Sequence, residues 1–437
     1  MTAPRDGHRW RNWSGLTTTA PTEVLSPKTA TDVIAAVQRA RELGTTVKMP
    51  GTGHSFTGIA APEGIMLDPT SLAGLVGVDK AAMTVTALAG TPLHVLNATL
   101  EAHGLSLHNM GDIDQQTIAG ATSTGTHGTG GVVASLSAQI AGLSLVTGTG
   151  VEIHAGAEEN ADVFAVARLG LGALGILTSI TFKVEPMFTL EAHEFPMLWD
   201  EAMVRFDDLV SENHHAEMYW FPHTDRILAK ENNRVLEDPE PLSPFRAWLD
   251  DDFLSNTAFG LVNRVGNLAP SLIPRINDLS GQLLSERTYS DAPHRVFTSP
   301  RKVVFREMEY AVPREVGLEA LQEVRRWIDA SGINISFPIE VRTTPADDIA
   351  LSTSSGQESM YLAFHMNQQT DHQAYFQGVE DILRAYDGRP HWGKLNTRTA
   401  ADLEPAYPRW AEFQAIRDQL DPDRVFSNEY LRRVLGD

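Results

Sequence analysis

The chain of 437 residues contains no cysteine. Disulfides, thiolate nucleophiles, iron–sulfur clusters and cysteine-ligated zinc are therefore excluded. Positive charge is also short: 35 Lys and Arg stand against 56 Asp and Glu, a formal net charge of −21. So acidic a surface repels nucleic acid and anionic lipid, and neither is expected as a partner. No apolar run approaches the roughly 18 residues of a spanning helix, and the opening MTAPRDGHRWRNWSG lacks the apolar stretch of a secretion signal. A cytoplasmic protein without an integral membrane segment is expected. Several motifs are missing as well. There is no H-E-x-x-H, no G-x-S-x-G and no triphosphate-binding lysine after a glycine loop. The adjacent His214 and His215 are expected to point apart, so no metal site is expected.

What is present suits a globular chain of two or three domains, at about 150 residues each. The stretch 1–185 is rich in Gly, Ala, Thr and Val. The spacing predicts a helix over 29–43, capped by Thr29 and stopped by Gly44, then a strand over 45–49. A strand over 83–89 and a helix opened by Thr91-Pro92 follow, with Leu93, Leu96 and Leu100 on one stripe. Residues 140–154 read as a hairpin, 162–168 as a short helix and 176–184 as a strand. Beyond Pro186 the texture changes, with a Pro-rich stretch at 237–244, a helix over 314–330, and strands over 333–343 and 359–366. Residues 190–300 carry no functional signal.

Two glycine loops carry the first chemical signal. Gly51-Thr52-Gly53-His54-Ser55 follows a strand and reads either as an anion-binding nest or as a plain turn. Ile118–Gly131, with glycines among Ser and Thr, is expected to be neither helix nor strand. Together they can grip a diphosphate diester from two sides through backbone dipoles, without a lysine. Gly170–Gly175 fits G-x-G-x-x-G literally, but a helix precedes it and a strand follows, the reverse of the dinucleotide fold. Later, Glu340 and Arg342 share one face of a strand by the period of two. They read either as a solvated edge or, behind the apolar Ile333, Ile335, Phe337 and Ile339, as a base beside a cation in a pocket. Lys394, in His391-Trp392-Gly393-Lys394, reads as a surface lysine or as a site cation.

In this order these segments resemble the vanillyl-alcohol oxidase superfamily of flavoenzymes, and within it the sugar-1,4-lactone oxidase branch, with alditol and xylitol oxidases as near relatives. HWGK at 391–394 is the marker most specific to the branch. The resemblance covers 1–185 and the C-terminal 50 residues well, and the middle chiefly at Glu340–Arg342. It implies an α+β fold: a two-subdomain, PCMH-type FAD-binding domain over 1–185 and a cap over 186–390 with a large antiparallel sheet flanked by helices. Residues 391–437 would return to the FAD domain.

The implied cofactor is FAD, held by Gly51, Thr52, Gly53, His54, Ser55, Gly111, Asp112, Gly120, Ser123, Thr124, Gly125, His127, Gly128, Gly172, Gly175 and Ile176. His54 matches the position often linked covalently to the flavin, and without cysteine a single histidyl bond is the limit. The implied reaction is hydride transfer from a carbinol to flavin N5. Glu340 would take the hydroxyl proton, Arg342 would fix the sugar and favour the carboxylate, and Lys394 would face developing negative charge. Asn109 and His391 would touch the substrate, a small neutral polyhydroxy compound. Gly111 leaves room for oxygen and leans toward an oxidase; oxygen or a soluble acceptor would reoxidise the flavin. A non-catalytic flavin- or sugar-binding protein is the rival reading.

Overall fold

The computed structural model describes residues 9–132, 134–243, 269–299 and 303–437. The first eight residues of the N-terminal segment and Pro244 of the Pro-rich stretch lie outside them.

The N-terminal part is built on two sheets. Glu23–Leu25, Ile65–Leu67 and Val47–Lys48 form a parallel sheet in which Ile65–Leu67 is central. The helix Ala30–Glu42 packs Val33, Ala36, Val37 and Ala40 beside this sheet. Thr29 caps it, as the sequence predicts, and Asp32 reciprocates to close its first turn as a capping box. The strand expected over 45–49 is shorter, only Val47–Lys48. A five-stranded antiparallel sheet holds Glu152–Gly156, Ile140–Val146, Ile176–Lys183, Thr84–Leu88 and Leu75–Asp79, in that order. Leu93, Leu96 and Leu100 of the helix Leu93–Ala102 are buried against its core.

The glycine-rich segment corrects the sequence reading. Ile118–Thr124 is a helix. Thr117 caps it by accepting from the Gly120 N–H, Ile118, Ala121 and Thr122 bury one face, and Gly125 ends it at φ +79°. Caps at both ends and a buried stripe outweigh the low helix propensity of one internal glycine.

The cap is an eight-stranded antiparallel sheet. In spatial order its strands are Arg287–Asp291, Thr189–Leu198, Arg226–Val235, His215–Trp220, Ile339–Thr344, Ser359–Asn367, Phe305–Pro313 and Arg389–Pro390. Alternation sorts its two faces. One presents Met218, Trp220, Ile227, Met308, Tyr310, Val312, Ile339, Val341, Leu362 and Phe364 to the helices Trp199–Glu212, Gly317–Ser331 and Gln373–Ala385. The other presents Glu194, Glu217, Glu307, Glu309, Glu340, Arg342 and His365, all buried. This charged face meets the N-terminal part: the Gly130 N–H donates to Thr343 O (2.6 Å), and the Thr129 hydroxyl to Ala216 O (2.5 Å).

Two boundaries differ from expectation. The first turn of the helix expected over 314–330 is a 3-10 turn, Arg314–Val316, before Gly317–Ser331. The strand expected over 333–343 begins only at Ile339. Pro338 has no N–H for a ladder, and Ile335 is held by side chains instead: its N–H donates to His223 Nε2 (3.0 Å) and its carbonyl accepts from Asn277 (2.8 Å). Residues 391–435 leave the cap. Trp392, Leu403, Tyr407, Trp410, Phe413, Tyr430 and Leu431 pack in one cluster with Leu93, Leu143 and Phe182 of the N-terminal part.

Candidate functional site

A cleft of about 800 Å³ runs between the two N-terminal sheets. Its walls bring together Gly51, Thr52, Gly53, His54 and Ser55 from the first loop, Gly120, Ser123 and Thr124 from the capped helix, and Gly172, Gly175 and Ile176. Backbone approach decides two of these glycines. Gly53 sits at φ +74°, and a Cβ on Gly175 would stand 2.8 Å from Val146 O. As the sequence predicts, the helix Ala161–Ala167 precedes the 170–175 glycines and the strand Ile176–Lys183 follows, so this is no dinucleotide fold of the doubly wound kind. One charged wall residue was missed. Lys48, 5% exposed, lines the same cleft despite the reading that the grip lacks lysine.

A smaller cavity of about 610 Å³ adjoins it and shares His54, Ser55, Gln116 and Thr124. Gly111, Asp112, His127, Arg342, His391 and Lys394 line it, with Trp13, Phe56, Phe305 and Glu309. A Cβ on Gly111 would lie 2.9 Å from Thr126 Cγ2 and 3.1 Å from His127 O. The HWGK segment reaches this cavity through hydrogen bonds to two elements. His391 N and Leu395 N donate to Glu309 O and Glu307 O (3.0 and 2.9 Å), and Phe56 N donates to Gly393 O (2.7 Å). Trp392 is buried, its indole bonded to Leu351 O (2.7 Å). Lys394 is thereby fixed in an ion pair with Glu307 rather than at the surface. Burial opposes its charge, but Glu307 and Glu309 outweigh burial and raise its pKa.

Across the charged face of the cap the signs alternate. Arg287 grips Glu194 with two nitrogens (2.7 and 2.9 Å); Lys230 lies beside Glu217 (3.7 Å), and Glu217 accepts from Arg342 (2.9 Å). Arg342 also meets Glu340 (2.8 Å) and Asp112 (3.7 Å). Burial works against the Arg342 cation, yet Glu340, Glu217 and Asp112 together raise its pKa well above the ordinary value. Glu340 lies in an inner strand, so the solvated-edge reading fails. His365 stands 3.4 Å from Glu307 and 3.9 Å from Glu340.

His54 is flanked by Trp13, ring centroids 5.7 Å apart. Burial, then Lys394, lower its pKa and favour a neutral imidazole. His127, Glu309 and His391 offer three buried donor atoms within 4.8 Å of one another. By donor type they could hold a divalent cation; as they stand, His127 Nε2 meets Glu309 at 3.2 Å. Local spacing could not reveal this trio, since its members come from three segments. The metal reading from the sequence weighed His214 and His215 instead, and wrongly set them pointing apart: His214 Nδ1 meets His215 Nε2 at 3.0 Å. His214 precedes the strand that begins at His215, so strand alternation does not govern the pair.

Four expected residues stand elsewhere. Asn109 is 1% exposed and spends its amide on Thr129 O and Gly130 O (3.3 and 3.2 Å), bracing the segment behind the cavity. Gly125 is a helix cap and Gly128 lines a third cavity, beyond Asp112, which also reaches Arg342. Glu340 is in contact with the cavity wall through Arg342. The residues missed besides Lys48 are Glu217, Glu307 and Glu309. Glu307 and Glu309 carried a usable signal, alternating with Met308, Tyr310 and Val312 as Glu340 and Arg342 alternate with Val341. Glu217 lies in the stretch that seemed uninformative.

The donor set fits FAD. A glycine-walled cleft leads past a neutral histidine into a cavity with lysine and arginine on its wall. The chain matches the profile of an FAD binding domain over residues 21–156 and that of the D-arabinono-1,4-lactone oxidase family over 180–434. An L-gulono-1,4-lactone dehydrogenase of Mycobacterium tuberculosis is 41% identical over 98% of this chain and 99% of that one. An L-gulonolactone oxidase of Bos taurus is 30% identical over 98% of each chain. An alditol oxidase of a Streptomyces species is 31% identical over 97% and 98%. Among solved structures, a cholesterol oxidase from Brevibacterium sterolicum superposes with a TM-score of 0.82 at 19% identity, over 98% of this chain and 96% of that one. That likeness shows the fold alone. Among the described residues no helix is long and apolar enough to cross a membrane.

Proposed function

The chain belongs to the FAD-dependent sugar-1,4-lactone oxidoreductases of the vanillyl-alcohol oxidase superfamily, and from that premise we propose that it oxidises a carbinol of a gulono- or arabinono-1,4-lactone. The observation that carries this reading is the convergence of Arg342 and Lys394 on the wall of one cavity, with Glu340 2.8 Å from Arg342. When bound, FAD supplies the hydride acceptor, flavin N5. Glu340 accepts the proton of the substrate hydroxyl, and Arg342 holds both Glu340 and the sugar oxygens in register. Lys394 sets a fixed positive charge where negative charge develops. Residues 1–185 are assigned to the cofactor, 186–390 to the substrate, and 391–437 to closing the cofactor domain. His391, in the wall beside Lys394, is assigned to the substrate. The rival reading of a non-catalytic binding protein leaves this acid–base set without a use.

The half-buried His54, its pKa lowered by burial and by Lys394, supports a covalent bond to the flavin. Acid-precipitated protein should stay yellow, and His54→Ala should release its colour to the supernatant; release from the wild type would sink the linkage. Gly111 supports oxygen as acceptor, since its missing Cβ keeps the cavity open beside Thr126. The acidic surface suits a cytoplasmic enzyme that meets a neutral substrate in solution. The function is tested by adding L-gulono-1,4-lactone, D-arabinono-1,4-lactone or xylitol under argon. A lactone should bleach the flavin band near about 450 nm, and admitting air should restore it at once. Bleaching by xylitol alone would favour the alditol oxidase reading, and no bleaching would end both.

A further inference from the structure

Lys48 ends a two-residue strand just before Pro50 and Gly51 and lines the cofactor cleft, its ammonium 3.6 Å from where a Cβ on the cleft residue Gly172 would stand. It is the one Lys or Arg among the described residues lining that cleft. Its ammonium donates to Gly172 O (3.1 Å) and Phe426 O (2.9 Å), which leaves one of its three N–H donors. Among the described residues no carboxylate lies within 4.0 Å of it. A buried cation with only carbonyl neighbours is costly to keep charged. Burial accordingly pulls its pKa from 10.5 to about 7, partly offset by the more distant Asp421.

A fold retains such a group when something else supplies the missing charge. The glycine, serine and threonine walls supply dipoles but no net charge, whereas a diphosphate diester brings two negative charges into the cleft. We infer that Lys48 is the counter-cation of the cofactor diphosphate, charged when the cofactor is bound and held ready by the carbonyls of Gly172 and Phe426. This deepens the FAD reading and rests on it. The alternative is a purely structural tether between the 170–175 glycines and the C-terminal segment.

The two are separated by calorimetry of ADP-ribose, a diphosphate diester without the flavin ring, binding to apoprotein made under riboflavin limitation. At pH 8 the free ammonium is mostly deprotonated, so wild-type protein should take up close to one proton per ADP-ribose bound, read from two buffers of different ionisation enthalpy. Lys48→Met should weaken ADP-ribose by about ten- to a hundredfold, the worth of one charge-assisted hydrogen bond, and abolish the uptake. It should leave adenosine binding unchanged. Lys48→Arg should keep the affinity and bind without proton uptake, since guanidinium never deprotonates. Binding by wild type without proton uptake, or unchanged affinity in Lys48→Met, would overturn the inference. Should Lys48→Met fail to fold, wild type and Lys48→Arg decide. Purified protein lacking FAD would sink the cofactor reading itself; FAD present with an indifferent Lys48 sinks this inference alone.

Discussion

Arg342 is the most heavily shared side chain of the site. Glu217, Glu340 and Asp112 all lean on it, and it is buried. Arg342→Met should therefore cost about 3–5 kcal/mol of stability, the scale of breaking a buried ion pair, seen as a lower denaturant midpoint. Lysine should rescue only part of it, having no planar fork to span Glu217 and Glu340. A midpoint unchanged in both variants would show that the three carboxylates do not depend on it. His391 gives a pH signature. Burial lowers its pKa from 6.5 to about 4, with Glu309 opposing. Between those values the unfolded chain binds a proton that the folded one does not. Stability present above pH 6.5 should thus fall as the pH drops toward 4, by on the order of 3 kcal/mol in all. His391→Gln should flatten that slope in acid unfolding curves; an unchanged slope would assign it to other groups. His54, Glu340, Arg342 and Lys394 stand out in the sequence because short motifs or strand alternation mark them. Lys48 and Glu217 could not, because their meaning lies in partners more than a hundred residues away: Gly172 and Phe426 for one, Arg342 for the other.

Among elements, Ile118–Thr124 shows how local composition misleads. Glycine, serine and threonine suggested irregular backbone, yet Thr117, Gly125 and a buried stripe make a helix that carries Gly120, Ser123 and Thr124 to the cleft. Thr117→Ala should cost about 1 kcal/mol through the lost cap, read as a lower melting temperature, and should reduce flavin occupancy in purified protein. Full occupancy at the lower melting temperature would mean that the cap serves stability alone. The strand Ile339–Thr344 teaches the converse. Its boundary was misplaced by six residues, because apolar alternation through Ile333, Ile335 and Phe337 continues where Pro338 forbids a ladder. The shared face of Glu340 and Arg342 survived, since both lie in the part that is strand. The helix Ala30–Glu42 was legible almost to the residue, for its cap Thr29 and its stop Gly44 are written close to its ends.

For the molecule as a whole, the net charge of −21 is not spread evenly in meaning. A net charge of that sign repels polyanions. Inside, buried glutamates of the cap sheet are paired with cations, Glu194 with Arg287, Glu217 and Glu340 with Arg342, and Glu307 with Lys394, and the sheet's other face is apolar beneath its helices. The order of a Gly-rich part followed by a part with a large antiparallel sheet was legible from texture and motif order. The meeting of the two faces was not, because sheet order sets it: Phe305–Pro313 lies beyond Ser359–Asn367 and beside Arg389–Pro390, which draws HWGK under Glu307 and Glu309. The central claim is that this charged face performs proton transfer on a lactone hydroxyl. It is tested by anaerobic stopped-flow reduction of the bound flavin by L-gulono-1,4-lactone in wild type and Glu340→Gln. Wild-type flavin should be fully reduced. The variant, with its FAD retained and the lactone still perturbing the flavin spectrum, should react about a hundred- to ten-thousandfold more slowly, the usual worth of a general base. Equal rates in the two proteins, or a wild-type flavin that no sugar lactone reduces, would contradict it.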